Sequence, residues 1–147
     1  MATPFTKPET QPTSTVLQLL GVVSADDETL LELTETGIPL SRLPILIDLG
    51  LTRAELNALV IPARTLAHRR AADSRLNRRD ESDRFLRVLR CLVQARQIFG
   101  DPEKALRWLR KAKSGLGGRT PLAALETETG ARLVEEWLVR IDQGMAA

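Results

Sequence analysis

The sequence contains few of the residues on which catalytic and metal sites depend. Its 147 residues include one cysteine, one histidine and no tyrosine. A single cysteine, Cys91, excludes an intrachain disulfide and a zinc site built on cysteine pairs. His68 has no nucleophile beside it in the sequence, and Glu135 and Glu136 are neighbours that point to different sides of a helix. We therefore expect no enzymatic activity, no metal and no cofactor.

Long apolar runs are also missing. No stretch of about 18 apolar residues occurs, which is the minimum expected of a membrane-spanning helix. The first residues do not form a basic segment followed by an apolar run, so no export signal is expected either. A lone thiol suits a reducing compartment. The sequence therefore predicts a cytoplasmic protein without a membrane partner.

The chain is rich in leucine, alanine and arginine instead. Hydrophobic residues make up 43% of it and charged residues 27%, which is typical of a folded globular protein. Leucine, alanine and arginine favour helices, whereas the β-branched and aromatic residues that favour strands are scarce. The composition therefore predicts an all-α fold.

Changes in composition divide the chain into four predicted segments. Residues 1–14 combine prolines with polar residues and are expected to form a disordered arm. Residues 15–74 have the pattern of a helix-turn-helix domain, residues 75–81 are a polar linker, and residues 82–147 form a second helical domain.

Positive charge is concentrated in the middle of the chain. Residues 51–90 hold ten arginines against five acidic residues, whereas residues 1–50 hold two cations against seven acidic residues. The guanidinium fork of arginine matches the geometry of phosphates and carboxylates. A solvated helix face would explain the same excess, so charge alone does not decide between the two interpretations.

Residues 42–61 fit the spacing of a helix-turn-helix with Gly50 at the turn. Thr52 and Glu55 form a T-x-x-E capping box, which predicts where the second helix begins. Leu46 stands where a small residue is usual and predicts a looser helix pair. The positions expected to be buried are all aliphatic, namely Ile45, Leu49, Leu51, Leu56 and Leu59.

The second of these helices offers a few side chains for contact with DNA. Arg53 and Asn57 could bond to base edges, and Ile61 is expected to be exposed beside them. Arginines in the following helix are better suited to phosphates. The predicted DNA-binding residues are Thr52, Arg53, Asn57, Arg64, Arg69 and Arg70. A packing or dimerisation role for the same region remains an alternative.

The C-terminal half predicts a long buried helix followed by a shaped loop and an amphipathic helix. Apolar residues cover most of the circumference between Ser82 and Phe99, where Cys91 is expected to be an inert packing thiol. The segment SGLGGRTP pairs two glycines with Pro121 and predicts a defined loop. It lacks the glycine spacing of nucleotide-binding motifs. In the last helix, Val134, Trp137, Leu138 and Ile141 share one face.

Five short motifs occur in order over residues 81–144. They are ESDR at 81–84, FGDPEKALRWL at 99–109, LGGRTPL at 116–122, TETG at 127–130 and RIDQG at 140–144. Together they resemble the toxin-binding domain of Xre/MbcA/ParS antitoxins. The preceding RTLAHRR at 64–70 is similar to the junction between the two domains of that family.

The resemblance implies an Xre-like N-terminal domain that binds operator DNA and a C-terminal domain that binds a RES-domain toxin. Such toxins degrade NAD, and the antitoxin covers their active site while self-associating as a dimer within a larger complex. The last helix, Arg140 and the tail from Asp142 to Ala147 are the candidates for that role. The full set of toxin-binding residues suggested is Trp108, Leu116, Gly117, Gly118, Arg119, Trp137, Arg140, Ile141, Gly144 and Met145.

Two alternatives remain open at this point. The chain could be a stand-alone helix-turn-helix regulator whose C-terminal domain only oligomerises. Trp108 and Trp137 fit a protein core as well as an interface, because buried aromatic residues are common in both.

Overall fold

The computed structural model describes residues 12–19, 27–72, 75–76 and 80–145. Regular structure in these ranges is entirely helical, which confirms the predicted all-α class. The β-type pairing found there is an isolated bridge between Pro39 and Arg75. The helices are α1 (Pro12–Leu19), α2 (Asp27–Thr36), α3 (Pro44–Asp48), α4 (Arg53–Leu59), α5 (Ala63–Ala72), α6 (Glu81–Phe99), α7 (Pro102–Leu109), α8 (Pro121–Ala124) and α9 (Glu128–Asp142), with 3-10 turns at Leu40–Arg42 and Ser114–Leu116.

The first helix begins inside the segment that was expected to be a disordered arm. Residues 1–11 lie outside the described residues, but residues 12–14 form the first turn of α1. Pro12 occupies the first helical position, where its missing N–H and fixed φ are tolerated. Val16 is fully buried, and the Thr15 hydroxyl accepts a hydrogen bond of 3.1 Å from Gln97 of α6. The packing of α1 on α6 therefore orders residues whose composition alone indicates disorder.

The long helix α6 is the centre of the fold. It packs against α1, α2, α4, α7 and α9. Ten of its nineteen residues are buried, as its nearly continuous apolar circumference predicts, and it ends at Gly100 with φ of 68°. The buried side chains form one cluster that extends from Val16 to Leu138. The core is therefore continuous from one side of the predicted linker to the other. The division of the chain into two domains at residues 75–81 stays a prediction.

Cys91 lies in the interior of α6. Its side chain is fully buried, and burial raises the pKa of the thiol to about 12, with a further contribution from the nearby carboxylate of Glu135. A thiol that stays protonated is a poor nucleophile. The prediction of a packing role for Cys91 is confirmed.

The segment around Gly50 folds as two short helices joined by a turn. Leu49, Leu51, Leu56 and Leu59 are buried and Ile45 is partly buried, so the predicted aliphatic pattern is confirmed. Gly50 has φ of 107°, a conformation that side-chain-bearing residues rarely adopt. The expectation that Ile61 is exposed was wrong: its side chain is fully buried because α4 ends at Leu59 and the chain turns inward before Pro62.

The ESDR motif joins the two halves of the chain at the first turn of α6. Glu81 is only 6% exposed and forms an ion pair with Arg69 of α5. The Ser82 hydroxyl accepts a hydrogen bond of 3.1 Å from the backbone N–H of Ile38. Arg84 donates from Nε to the carbonyl oxygen of Val60 over 3.1 Å. Three of the four residues of the motif therefore satisfy polar groups that come from the N-terminal half.

Candidate functional site

The FGDPEKALRWL motif encodes the start and the packing of α7. Asp101 caps the helix by accepting a hydrogen bond of 2.9 Å from the backbone N–H of Glu103, and Pro102 follows at the first helical position. Trp108 is half-buried, with its ring centroid 5.8 Å from that of Phe99. The ammonium of Lys113 lies 5.3 Å from the centre of the Trp108 ring. Trp108 therefore supports the loop that follows α7 from beneath.

Residues 113–119 form a compact loop, as the paired glycines predict. The backbone N–H groups of Leu116 and Gly118 both donate to the carbonyl oxygen of Lys113, and Lys113 N–H donates to the carbonyl oxygen of Arg119. Gly117 and Gly118 have φ of 65° and 80°, which favours glycine at both positions. The Gly118 and Arg119 positions are exposed at the tip. The loop therefore presents a preformed backbone to solvent.

The TETG motif is explained by the sharp step from α8 to α9. The hydroxyl of Thr127 caps α9 by accepting a hydrogen bond of 3.0 Å from the backbone N–H of Gly130. A Cβ atom at position 130 would collide with the carbonyl oxygen of Ala124, a backbone atom that cannot rotate away. Glycine is therefore required at position 130 because a side chain has no space there. A left-handed backbone is not the reason, since the φ of Gly130 is not positive.

Trp137 joins α9 to the loop. A Cβ atom added to Gly115 would lie 2.8 Å from two atoms of the Trp137 ring, so the indole lies against the bare backbone of Gly115. Ile141, one turn further along, is half-buried on the same side of α9. The structure therefore brings together the last helix and the glycine loop, two parts of the predicted toxin-binding set.

The RIDQG motif forms the C-terminal cap of α9. Gly144 adopts a left-handed conformation with φ of 76°. The N–H of Met145 donates to the carbonyl oxygen of Arg140 over 2.8 Å, and the N–H of Gly144 donates to that of Ile141 over 3.0 Å. This pair of bonds is the Schellman arrangement, which satisfies carbonyl groups that the helix end leaves unpaired. Gly144 therefore has a capping role whatever else it contacts.

The outer side of α9 carries an open groove of about 490 Å³. Val139 and Met145 lie in it with 43% and 50% of their surface exposed, which is unusual for large apolar side chains in pairs. Arg90 of α6 contacts Glu135 at 3.6 Å on its edge. We call this feature the α9 groove; its lining residues are Gln94, Arg132, Glu135, Glu136, Val139, Arg140, Gln143 and Met145.

Sequence reasoning identified two of the groove residues, Arg140 and Met145, and missed Val139. The signal was present, because residues 132, 136, 139 and 143 repeat at helical spacing on the side opposite the buried Val134 and Leu138. An apolar residue at the centre of that otherwise polar side marks an exposed site. The predicted set is therefore divided between the groove and the side of α9 that faces the loop.

The predicted DNA-binding residues are placed unevenly. Thr52 is the N-cap of α4, and its hydroxyl accepts a hydrogen bond of 3.1 Å from the Glu55 N–H within the predicted capping box. Arg53 is exposed beside it, and Asn57 is half-buried one turn further on. Arg64 is exposed at the start of α5.

Unlike Arg53 and Arg64, the other two arginines predicted to bind phosphates, Arg69 and Arg70, are not seen as exposed side chains. Arg69 is held by the ion pair with the buried Glu81, which a phosphate would have to displace. The side chain of Arg70 lies outside the described part of the structure. Arg53 and Arg64 are therefore the predicted cations that the structure leaves exposed.

The N-terminus of α4 is in contact with α7. Arg110 donates from Nη2 to Glu55 Oε1 over 2.7 Å and from Nε to Glu55 Oε2 over 3.0 Å. The same Nη2 donates to the carbonyl oxygen of Gly50 over 2.8 Å. Leu106, one turn before Arg110, packs on Gly50, where an added Cβ would approach Cδ1 of the leucine to 2.5 Å. Sequence reasoning missed this contact because the two partners are 55 residues apart.

The Arg110–Glu55 contact also determines the ionisation of both groups. Burial acts to raise the pKa of Glu55, but hydrogen bonds from Arg110 and from Thr52 outweigh it and lower that pKa below its ordinary value. The hydrogen bond to Glu55 raises the pKa of Arg110. Glu55 is therefore a paired carboxylate at neutral pH.

Two further findings concern residues 12–19, 27–72, 75–76 and 80–145 of the protein. No group of three or more His, Cys, Asp and Glu residues there could hold a metal ion. Within the same ranges, none of the helices combines the length and the apolar character that a bilayer crossing requires.

Comparison with known proteins identifies the family. Residues 94–144 match the family model described as the antitoxin Xre/MbcA/ParS C-terminal toxin-binding domain. The chain is 35% identical to Antitoxin Xre of Yersinia enterocolitica over 130 residues, which cover 76% of this chain and 87% of that protein. It is 42% identical to Antitoxin Xre of Pseudomonas putida over 85 residues, which cover 58% and 53% of the two chains. A protein of the same name from Photorhabdus laumondii is 39% identical over 69 residues, 46% of this chain and 47% of its own.

These matches define a helical protein with a toxin-binding domain in its C-terminal half. The chain belongs to the family of Xre/MbcA/ParS-type antitoxins, as the resemblance of its five motifs predicted.

Proposed function

We propose that the chain neutralises a RES-domain toxin that degrades NAD, and that it does so by covering the active site of the toxin with its C-terminal region. The observation that carries this proposal is the agreement between the toxin-binding family match at 94–144 and the exposed α9 groove, of whose eight lining residues all but Met145 lie within that match. Inhibition would be steric, and the protein would supply no chemistry of its own.

The rigidity of this region supports binding. The loop at 113–119 is closed by its own backbone hydrogen bonds, and the C-terminus of α9 is capped at Gly144. A surface that is ordered before it meets its partner loses little conformational entropy on binding. The exposed Val139 and Met145 provide apolar area for the centre of an interface, and the surrounding Arg132 and Arg140 provide a polar rim.

The α9 groove is tested by placing a charge at its centre. Val139→Asp should weaken binding to the toxin encoded by the neighbouring gene by 10-fold or more, which corresponds to about 1.4 kcal/mol. The reason is that a carboxylate without a partner is costly to bury at an interface that excludes water. Leu31→Asp is the matched control, since Leu31 is an exposed aliphatic residue on α2. Binding is measured with the purified toxin, and protection by growth and cellular NAD on co-expression. Equal binding by the two variants would contradict the assignment of the groove.

The role of the tail can be separated from that of the helix cap. Deleting residues 142–147 would remove the cap formed by Gly144 and Met145, so a loss of protection would not identify a plug. Deleting only residues 146 and 147 leaves those hydrogen bonds in place. If the extreme end of the chain enters the active site of the toxin, this shorter deletion should reduce protection while the thermal unfolding midpoint is unchanged.

We also propose that the segment α3–Gly50–α4 binds operator DNA and represses the operon of the antitoxin. The arrangement of two short helices around Gly50 and the exposed Arg53 at the N-terminus of α4 support this, because that end of the second helix contacts bases in helix-turn-helix proteins. Arg53→Ala should weaken binding to a duplex from the promoter region of the gene in a gel shift. Unchanged binding would place the DNA site elsewhere.

Self-association as a dimer within the toxin complex is the remaining part of the proposal, and it rests on the resemblance to the family. Light scattering of the purified antitoxin, alone and with its toxin, gives the mass of each assembly. A monomer in both samples would contradict it.

A further inference from the structure

The segment from Lys104 to Leu125 contains six cations and no acidic residue. No other stretch of this length in the sequence has so large an excess of cations over acidic residues. Three of the cations are exposed on α7 and at its end: Lys104, Arg107 and Lys111. We call these three residues the α7 cationic face. They lie within the toxin-binding family match, but neither the predicted toxin-binding set nor the predicted DNA-binding set includes any of them.

The position of this face relative to α4 is fixed by the contacts described above. Leu106 and Arg110 are four residues apart and lie on the side of α7 that meets the turn at Gly50. Arg107 and Lys111 each follow one of these contact residues, so they lie next to the contact on the exposed side. Arg107 and Lys111 therefore flank the contact with the N-terminal end of α4, where Arg53 is exposed, and Lys104 lies further round the helix.

Arg110 itself removes an obstacle to an anionic partner at this place. Glu55 lies in the first turn of α4, where an unpaired carboxylate would repel phosphates from the end of the helix. The bidentate contact with Arg110 neutralises that carboxylate. The result is a surface from α4 to α7 on which the cations outnumber the unpaired acidic groups.

We propose that the α7 cationic face binds the phosphate backbone of DNA beside the segment contacted by α4, so that the C-terminal half contributes directly to operator binding. This inference rests on the proposed DNA-binding function of α3–Gly50–α4. A run of arginine and lysine side chains fits a row of phosphates, which carry one charge each at regular intervals, and such contacts add affinity without reading sequence. An acidic patch on the toxin is the competing partner, but the contact with α4 favours DNA.

The test compares two double variants with the same change of charge. Arg107→Ala/Lys111→Ala removes two cations from the α7 cationic face, and Arg132→Ala/Arg140→Ala removes two from α9. Fluorescence anisotropy measures the binding of each full-length variant to a promoter duplex of about 30 base pairs and to a duplex of shuffled sequence, across a series of salt concentrations. Binding to the purified toxin is measured in parallel, and thermal unfolding confirms that both variants are folded.

We expect the α7 variant to lose affinity for both duplexes alike. The slope of log affinity against log salt should become shallower by about 2, which corresponds to a loss of up to about 60-fold near 0.1 M salt. The α9 variant should bind DNA as the unchanged protein does, and the α7 variant should retain its affinity for the toxin.

Each contrary outcome has a distinct meaning. If the α7 variant binds DNA with an unchanged slope while Arg53→Ala weakens binding, the inference is overturned and the DNA-binding function stands. If the α7 variant loses toxin affinity and keeps its DNA affinity, the face binds an acidic surface of the toxin. If the unchanged protein binds neither duplex, the DNA-binding function and this inference both fall, whereas toxin neutralisation does not depend on either.

Discussion

The two candidate binding regions differ in how their exposed ends are fixed. In the toxin-binding region the loop closes between Lys113 and Arg119, and α9 is capped at both ends by its own neighbours, while the body of α9 packs on α6. The N-terminus of α4 is held by a contact across 55 residues, between Glu55 and Arg110. The loop and the caps of α9 should therefore tolerate changes in α4, whereas the N-terminus of α4 should respond to changes in α7.

The largest effect is expected where the local construction of the toxin-binding region has no space. Gly130→Ala would force a Cβ atom against the carbonyl oxygen of Ala124 and should lower the free energy of unfolding by about 3 kcal/mol. Urea denaturation measures this. Thr129→Ala, at the adjacent exposed position, is the control and should change stability by less than about 0.5 kcal/mol. Similar stability of both variants would show that the step between α8 and α9 can relax.

A smaller effect is expected at the contact between the halves. Gly50→Ala should cost about 2 kcal/mol, because φ of 107° is strained for alanine and the new methyl would displace Leu106. Combining it with Leu106→Ala makes room for the methyl and leaves the backbone strain. The double variant should then lose less stability than the sum of the two single losses. Strict additivity would mean that Leu106 does not press on this turn.

The cap at the end of α9 is expected to contribute about as much as an ordinary helix cap. Gly144→Ala places a side chain at φ of 76° and should lower the free energy of unfolding by about 1 kcal/mol. DNA affinity should not change, because the cap is formed entirely within residues 140–145. A loss of DNA binding in this variant would contradict the proposed independence of the two regions.

The smallest effect concerns the charge of the contact between the halves. Glu55→Gln keeps a capping side chain but loses the ion pair with Arg110, so it should cost about 0.5 kcal/mol at neutral pH. The pKa of Glu55 is lower in the folded protein than its ordinary value of 4.5. The unfolded chain therefore takes up the proton more readily, so the contribution is present above about pH 4.5 and is lost as the pH falls below it. Chemical denaturation of both proteins at pH 7 and at acidic pH checks this. A difference that persists in acid would show that the ion pair is not its cause.

The prediction from sequence succeeded where a residue acts on its immediate neighbours. The capping pair of Thr52 and Glu55, the long buried helix that ends at Phe99, and the shaped loop after Ser114 are all decided within a few residues of the chain. It was wrong about the exposure of Ile61, because the direction of the chain after α4 depends on what lies beneath it. It did not foresee the partner of Arg69, a predicted phosphate-binding residue, because the fold places the buried Glu81 beside it from the next helix.

Two of the five motifs, ESDR and TETG, acquire a physical meaning only in the structure. ESDR supplies partners for groups of the N-terminal half, and the glycine of TETG prevents a collision with Ala124. Neither reason can be read from the letters, because each depends on an atom from another helix. Val139 was missed for a different reason, because the sequence analysis considered only the apolar face of the last helix and not the apolar residue on its polar side.

By itself the sequence determined the all-α class, the capped start of α4, the long helix from about Ser82 to Phe99 and the aliphatic positions around Gly50, because propensity, capping and periodicity act over one or two turns. Tertiary structure alone decided which cations remain exposed: Arg69 is paired and Arg110 clamps α4, whereas Arg107 faces solvent. The physical reason is that ion pairs form between residues distant in sequence, and packing of the apolar faces decides which helices come close enough to form them.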